Sequence, residues 1–335
     1  MRRLTLILSD LYVPSEATGT STPPVALDLP NLDWLLRFAS RAERIEDWRH
    51  WLAVEVGRSD LTRQSIAHVC ARNVLDESLA ATAWLATPVH LEARIDHVRL
   101  VDRGLLRLGA DEREAWRQEF ARAFGPEYAL HDAGDHCFLL SGAAAVRVTS
   151  VDPSRLIDAD IGQAVPGPSA GELRRLGAEI EMWLHGAPGN AAREQRRERR
   201  ISALWLWGGG LQDAGAIATA GTGPGSLPRM FGGDPFLHAI AGPPVNSPPV
   251  SLGELASSEG HDVVELAPMS GRKEESLSAL ETNWFAPARE ALRRGAIHSV
   301  DLVANDRRFR VAARSGWRWW RRRSSWLAQL SRPLL

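Results

Sequence analysis

The 335-residue chain has two cysteines, Cys70 and Cys137, and one lysine, Lys273. Two thiols exclude a disulfide framework and a cysteine-based metal cluster. No apolar run approaches the roughly 20 residues that a membrane-spanning helix needs. The opening MRRLTLILSD sets two arginines before an apolar run, but Asp10 closes that run early and no small-residue cleavage site follows. It reads as a buried first strand rather than a signal peptide, and a cytoplasmic location is the expectation. With a single lysine among 40 basic residues, the arginine content reflects a coding bias and is not itself a sign of function.

What is present is an ordinary globular composition, 44% hydrophobic and 24% charged, with enough apolar residues for a sizeable core. The net charge of −1 is unevenly spread, because the stretch from Arg307 to Leu335 holds nine arginines and no acidic residue. In that tail, RSGWRWWRRRSSWLAQL interleaves arginine with tryptophan. Such a pattern binds nucleic acid or anionic membranes in some proteins. The alternative, favoured because the stretch is short and the rest of the chain acidic, is a terminal helix whose tryptophans dock on the core. Nucleic acid is therefore not an expected partner. The 13 tryptophans supply large buried area and polar N–H groups.

The order of patterns points to an α/β protein with a mainly parallel central sheet flanked by helices. LTLILSD has the unbroken apolar character of a strand buried on both faces. LPNLDWLLRFA carries helical periodicity, with Trp34, Leu35 and Phe38 on one face. After Trp84 the texture changes to a half-exposed strand, a helix with an acidic first turn, a hairpin and a further strand. These place an inserted α+β subdomain at 85–165 and a connecting helix at 166–198. ISALWLWGGG is then expected to rejoin the main sheet, so the main domain comprises 1–84 and 199–335.

Candidate site residues follow from position. Asp10 ends the first strand, at the carboxyl edge where α/β sheets bind ligands. Gly208, Gly209 and Gly210 follow a strand without matching a nucleotide-binding fingerprint, yet glycines there let a ligand approach the backbone. Trp205 and Trp207 share one strand face and are candidates for a binding wall. Asp158 and Asp160 in IDADIG form an extended pair that either projects two carboxylates to one side or caps the next helix. His90 and His97 fall on opposite faces of one strand and so cannot share a metal without a bend, with Asp96 between them. His131, Asp132, Asp135 and His136 flank a turn that turn chemistry alone explains.

LILSD followed by PNLDWLLRFA resembles the opening of the alkaline phosphatase superfamily, in which a first strand ends in a metal-binding Asp. VDPSRLIDADIG, PGNAARE and ALWLWGGG are similar to the archaeal-type cofactor-independent phosphoglycerate mutases. The combination of TPVHLEARIDHVRL, GDHCFLL, EIEMWLHG and LWLWGGG resembles the RpfE-type regulatory proteins, shortened relatives of those mutases. The resemblance implies an alkaline phosphatase-like fold and a two-metal phosphoryl-transfer ancestry, with Mn, Mg or Zn as cofactor if the chain is enzymatic. It maps metal roles onto Asp10, Asp306 in ANDRR and His261 in SEGHDVVEL. The metal set is incomplete, the glycine that usually follows the first Asp is missing, and no nucleophile context surrounds Ser9, Ser59 or Ser65. The expected role is therefore that of a catalytically reduced, regulatory or ligand-binding protein, taking a phosphorylated small molecule or a protein partner. The alternative is a metal-dependent mutase or phosphohydrolase with a rearranged site.

Overall fold

The computed structural model describes all residues except 1, 12–26, 41, 96, 135–136, 144–150, 158–160, 165–170, 211–226, 243–248, 256–258, 267–272, 305, 316–319, 322–323 and 332–335. In chain order the first elements are β1 (Arg3–Leu8), α1 (Pro30–Phe38), β2 (Glu43–Arg44), α2 (Trp48–Glu55), α3 (Ile66–Ala71), α4 (Glu77–Ala80), β3 (Trp84–Ala93) and β4 (Val98–Leu105). There follow α5 (Ala110–Phe124), β5 (Ala129–Asp132), β6 (Phe138–Ser141), α6 (Gly171–Gly186), α7 (Pro188–Gln195), β7 (Ala203–Trp207), β8 (Arg229–Phe231) and α8 (Pro235–Ala241). The last are β9 (His261–Glu265), α9 (Lys273–Leu280), a π-helical turn (Glu281–Phe285), α10 (Ala286–Arg294), β10 (Ser299–Ala304), β11 (Arg307–Ala312) and α11 (Trp326–Ser331). No helix among the described residues is long and apolar enough to cross a membrane.

The chain divides into two units. The first comprises Met1–Leu52, Pro224–Gly232 and Pro244–Leu335, and the second Ala53–Gly223 and Gly233–Pro243. The first unit is built on a sheet ordered β2-β11-β10-β1-β9-β8. β1 lies between β10 and β9 and runs parallel to both, which is why its sequence is apolar on both faces. Leu4, Leu6 and Leu8 pack with Leu32, Leu35, Leu292 and Leu302 in one core, while Thr5 and Ile7 on the other face are equally buried. Burying each such leucine contributes about 1.5–3 kcal/mol. The sheet is mixed. β8, β9, β1 and β10 run parallel, but β11 returns antiparallel from β10 and β2 pairs antiparallel with β11. The expectation of a mainly parallel sheet is corrected to that extent.

α1 has no side-chain cap of its own. Its first amides are satisfied from the π turn, where the buried Glu281 carboxylate accepts from the backbone N–H groups of Asn31 (2.6 Å) and Leu32 (3.1 Å). A carboxylate at a helix N-terminus also complements the helix dipole. Trp326 and Leu330 of α11 are buried in the same core, so part of the arginine-rich tail docks as expected, while Trp320 stays exposed.

The second unit carries an antiparallel sheet ordered β4-β3-β6-β5, with β7 also paired to β3. β7 therefore does not rejoin the sheet of β1. Its Leu204 and Leu206 face a cluster formed with α5 and α6, and its Ala203 and Trp205 face a cluster with Val89, Leu100 and Leu156. A strand buried on both faces of an antiparallel sheet carries the same apolar run as a central parallel strand, so its sequence pattern does not say which sheet it joins.

Candidate functional site

In the first unit the register of β1 defines two edges. Arg3 pairs with Ser299 and His261, and Leu8 with Ala304. Past the carboxyl end of the parallel strands lie Ser9 and Asp10, both in the turn leaving β1, and Asp306, in the turn between β10 and β11. β9 adds Glu265, which pairs in register with Ile7 and is 1% exposed. The Ser9 hydroxyl donates to the Glu265 carboxylate at 2.9 Å. Asp306 takes φ 58, a left-handed conformation that Asp tolerates better than most residues, and its carbonyl accepts from Ile45 N at 2.9 Å. Of these four residues, Ser9 and Glu265 are in contact, and Asp10 and Asp306 occupy turns at the same edge. Glu265 was not among the sequence candidates, although it ends a strand just as Asp10 does.

His261 lies at the other edge. It opens β9, opposite Arg3, and its ring contacts the Thr5 hydroxyl at 2.8 Å. Five residues of strand at about 3.3 Å each, roughly 16 Å, separate its register position from the end of β1. The three residues assigned metal roles by resemblance thus divide: Asp10 and Asp306 stand at the carboxyl edge, and His261 at the amino edge. Among the described residues no group of three or more His, Cys, Asp or Glu side chains is arranged to hold a metal ion. The residues present do not fit a two-metal centre built on these three side chains.

The amino edge is dominated by ion pairs. Asp262 takes Arg2 at 3.2 Å and Arg229 at 2.7 Å. Asp301, fully buried, takes Arg3, Arg308 and Arg310 at 2.8–2.9 Å. Burial alone would raise the Asp301 pKa, but the Arg310 hydrogen bond and the charges of Arg3, Arg308 and Arg310 outweigh it and hold the carboxyl below its ordinary value.

The glycine segment after β7 is packed from both sides. The Gly208 carbonyl accepts from Ala67 N at 2.8 Å, in the first turn of α3. A Cβ on Gly209 would lie 2.5 Å from the Ala83 carbonyl oxygen and 2.6 Å from the Trp84 ring. Gly208 and Gly210 take φ 67 and 110, which favour glycine. Steric need at Gly209 and backbone conformation at its neighbours account for the triplet. Trp207 is buried and donates from Nε1 to the Thr87 hydroxyl at 2.9 Å, and half-buried Trp205 donates to the Val151 carbonyl at 2.8 Å.

Asp158, Asp160, Asp96, Asp135 and His136 lie outside the described residues. Elsewhere, polar candidates serve local structure. Ser65 caps α3 by accepting from His68 N. Asp132 accepts from Arg113 and from Gly134 N. The His90 ring contacts the Arg200 carbonyl. His131 contacts the Ser141 hydroxyl, and burial, aided by Arg117, lowers its pKa.

No protein-family model and no curated protein sequence matches the chain. Among solved structures it is similar to the cofactor-independent phosphoglycerate mutase from Thermoplasma acidophilum DSM 1728, at 14% identity and a TM-score of 0.34, over 92% of this chain and 88% of that one. It is also similar to the PH0037 protein from Pyrococcus horikoshii, at 11% identity and a TM-score of 0.41, over 92% of this chain and 84% of that one.

Proposed function

We propose that the chain is a regulatory, ligand-binding protein that binds a phosphorylated small molecule without turning it over. In this reading it is a catalytically reduced relative of cofactor-independent phosphoglycerate mutase, of the RpfE type that its motifs resemble. The observation that carries the reading is the division of the metal-ligand candidates between the two sheet edges. Two-metal phosphoryl transfer holds its ions about 3.5–4 Å apart within one ligand set, and a histidine one strand length away cannot complete a set begun by Asp10 and Asp306. The purified full-length protein with Mn²⁺ is expected to leave 3-phosphoglycerate unconverted, as followed by ³¹P NMR. Formation of 2-phosphoglycerate would overturn the proposal.

One observation favours a second reading, a metal-dependent phosphohydrolase with a rearranged site. Ser9 bonds the Glu265 carboxylate at the carboxyl edge, and Asp10 and Asp306 lie in turns beyond the same edge. Metal content by mass spectrometry separates the two. A stoichiometric transition metal that is lost in a D10N variant would favour the hydrolase. The binding role predicts that D10N leaves the metal content unchanged.

A further inference from the structure

A cavity of about 440 Å³ lies between α1, α10 and the segment that leads into α11. Trp34 and Arg37 line it from α1, Arg289 from α10, and Ser324 and Ser325 from the C-terminal segment. Each of its two arginines donates to a neutral acceptor. Arg289 donates from Nη1 to Asn31 Oδ1 at 3.0 Å. Asn31 is fixed in turn, because its Nδ2 donates to Glu281 at 2.8 Å and so turns its oxygen toward the guanidinium. The Arg289 guanidinium lies 5.4 Å from the centre of the Trp34 ring, within cation–π range. Arg37 donates from Nε to the Arg321 carbonyl at 2.9 Å and lies 5.0 Å from the Phe38 ring.

Asp33 also lines the cavity. It is engaged by the Trp326 amide, and burial is the main cause that raises its pKa. Among the described residues the lining holds two arginines and one aspartate, and the nearby Asp28 and Glu281 carboxylates add to the rise in the Asp33 pKa.

We propose that this cavity is a binding site for a small phosphomonoester. Four donor side chains from three separate segments suit the terminal oxygens of a tetrahedral phosphate. A planar carboxylate is satisfied by a single guanidinium fork. Pro30 and Trp34 offer apolar wall for the organic part of the ligand, and the volume lies within the range of small-molecule sites. The inference goes beyond the role proposed above. None of its residues belongs to the candidate set at the carboxyl edge, so a failure here leaves that role standing, and mutase turnover would leave this cavity standing.

The test is isothermal titration of the full-length protein with phenyl phosphate, with benzoate as the carboxylate comparison. Wild-type protein is expected to bind phenyl phosphate more tightly than benzoate. R289Q and R37Q should each weaken phenyl phosphate roughly tenfold or more, the scale of one charge-assisted hydrogen bond. R294Q removes an arginine that pairs with Glu290 on the same helix, and it should bind as wild type does. R289K keeps the charge while losing the fork; it should bind more weakly than wild type and guards against misfolding of R289Q, with circular dichroism as the check on all variants. Failure of wild type to bind at millimolar phenyl phosphate, equal binding of benzoate, or folded R289Q and R37Q that match wild type would each overturn the assignment.

Discussion

At the scale of single residues, Asp301 is the most exacting position in the first unit. It has no solvent exposure and accepts from arginines on β1 and β11. Removing one partner of a buried ion pair costs about 3–5 kcal/mol because the other partner keeps its charge. Here three guanidinium groups would lose the negative charge they share. D301N is therefore expected to destabilise by at least about 3 kcal/mol, read from the urea midpoint at neutral pH. The pH dependence has a definite sign. Because the folded-state pKa of Asp301 is lowered, its contribution is fully present above the unfolded carboxyl value near 3.9 and is lost as pH falls below it toward the folded value. The gap in stability between wild type and D301N should accordingly narrow in the acid window below about pH 4. A gap that held constant through that window would refute the role given to Asp301.

At the scale of elements, the π turn between α9 and α10 does what a local cap usually does, but for another helix. Glu281 opens the turn and accepts from Asn31 N, Asn31 Nδ2 and Leu32 N at the start of α1. E281Q replaces a charged acceptor with a neutral amide beside a helix N-terminus. The expected cost is about 1–3 kcal/mol, measured as a lowered thermal midpoint. A midpoint within error of wild type would remove the turn from the account of α1 stability. The helix itself was legible in the sequence, since PNLDWLLRFA shows both the apolar spacing and the early proline. Its partner was not, because a cap supplied from 250 residues away leaves no local signature. The same holds for Arg37 and Arg289. An amphipathic pattern assigns such residues to water, and the segment that encloses them, Ser324–Ser325, is distant in sequence. Asp10 could be read from the strand-end rule. Glu265 obeys the same rule but follows an apolar run that reads simply as core. β7 was legible as a strand and misplaced in its sheet, because hydrophobic periodicity records how many faces are buried and not which neighbour buries them.

At the scale of the whole molecule, the chain passes repeatedly between its two units, so neither is one uninterrupted stretch of sequence. The second unit consists of 53–223 together with 233–243, and the short return carries α8. Phe236 and Leu237 of α8 have no solvent exposure, and α8 packs against α3, whose Ala67, Val69 and Ala71 are buried in turn. Losing two fully buried large side chains removes about 3–6 kcal/mol of apolar burial, a large share of the 5–15 kcal/mol by which a domain is stable. A fragment of residues 53–223 keeps every strand of the second sheet yet lacks this helix. It is expected to unfold without a sharp transition in circular dichroism, whereas a fragment of residues 53–243 should melt cooperatively. Two equally sharp melts would show that α8 is dispensable and that the sheet with α5 and α6 makes a sufficient core by itself. If neither fragment melted cooperatively, the second unit would depend on the first for its folding, and the division into units would describe contacts without marking a boundary of stability.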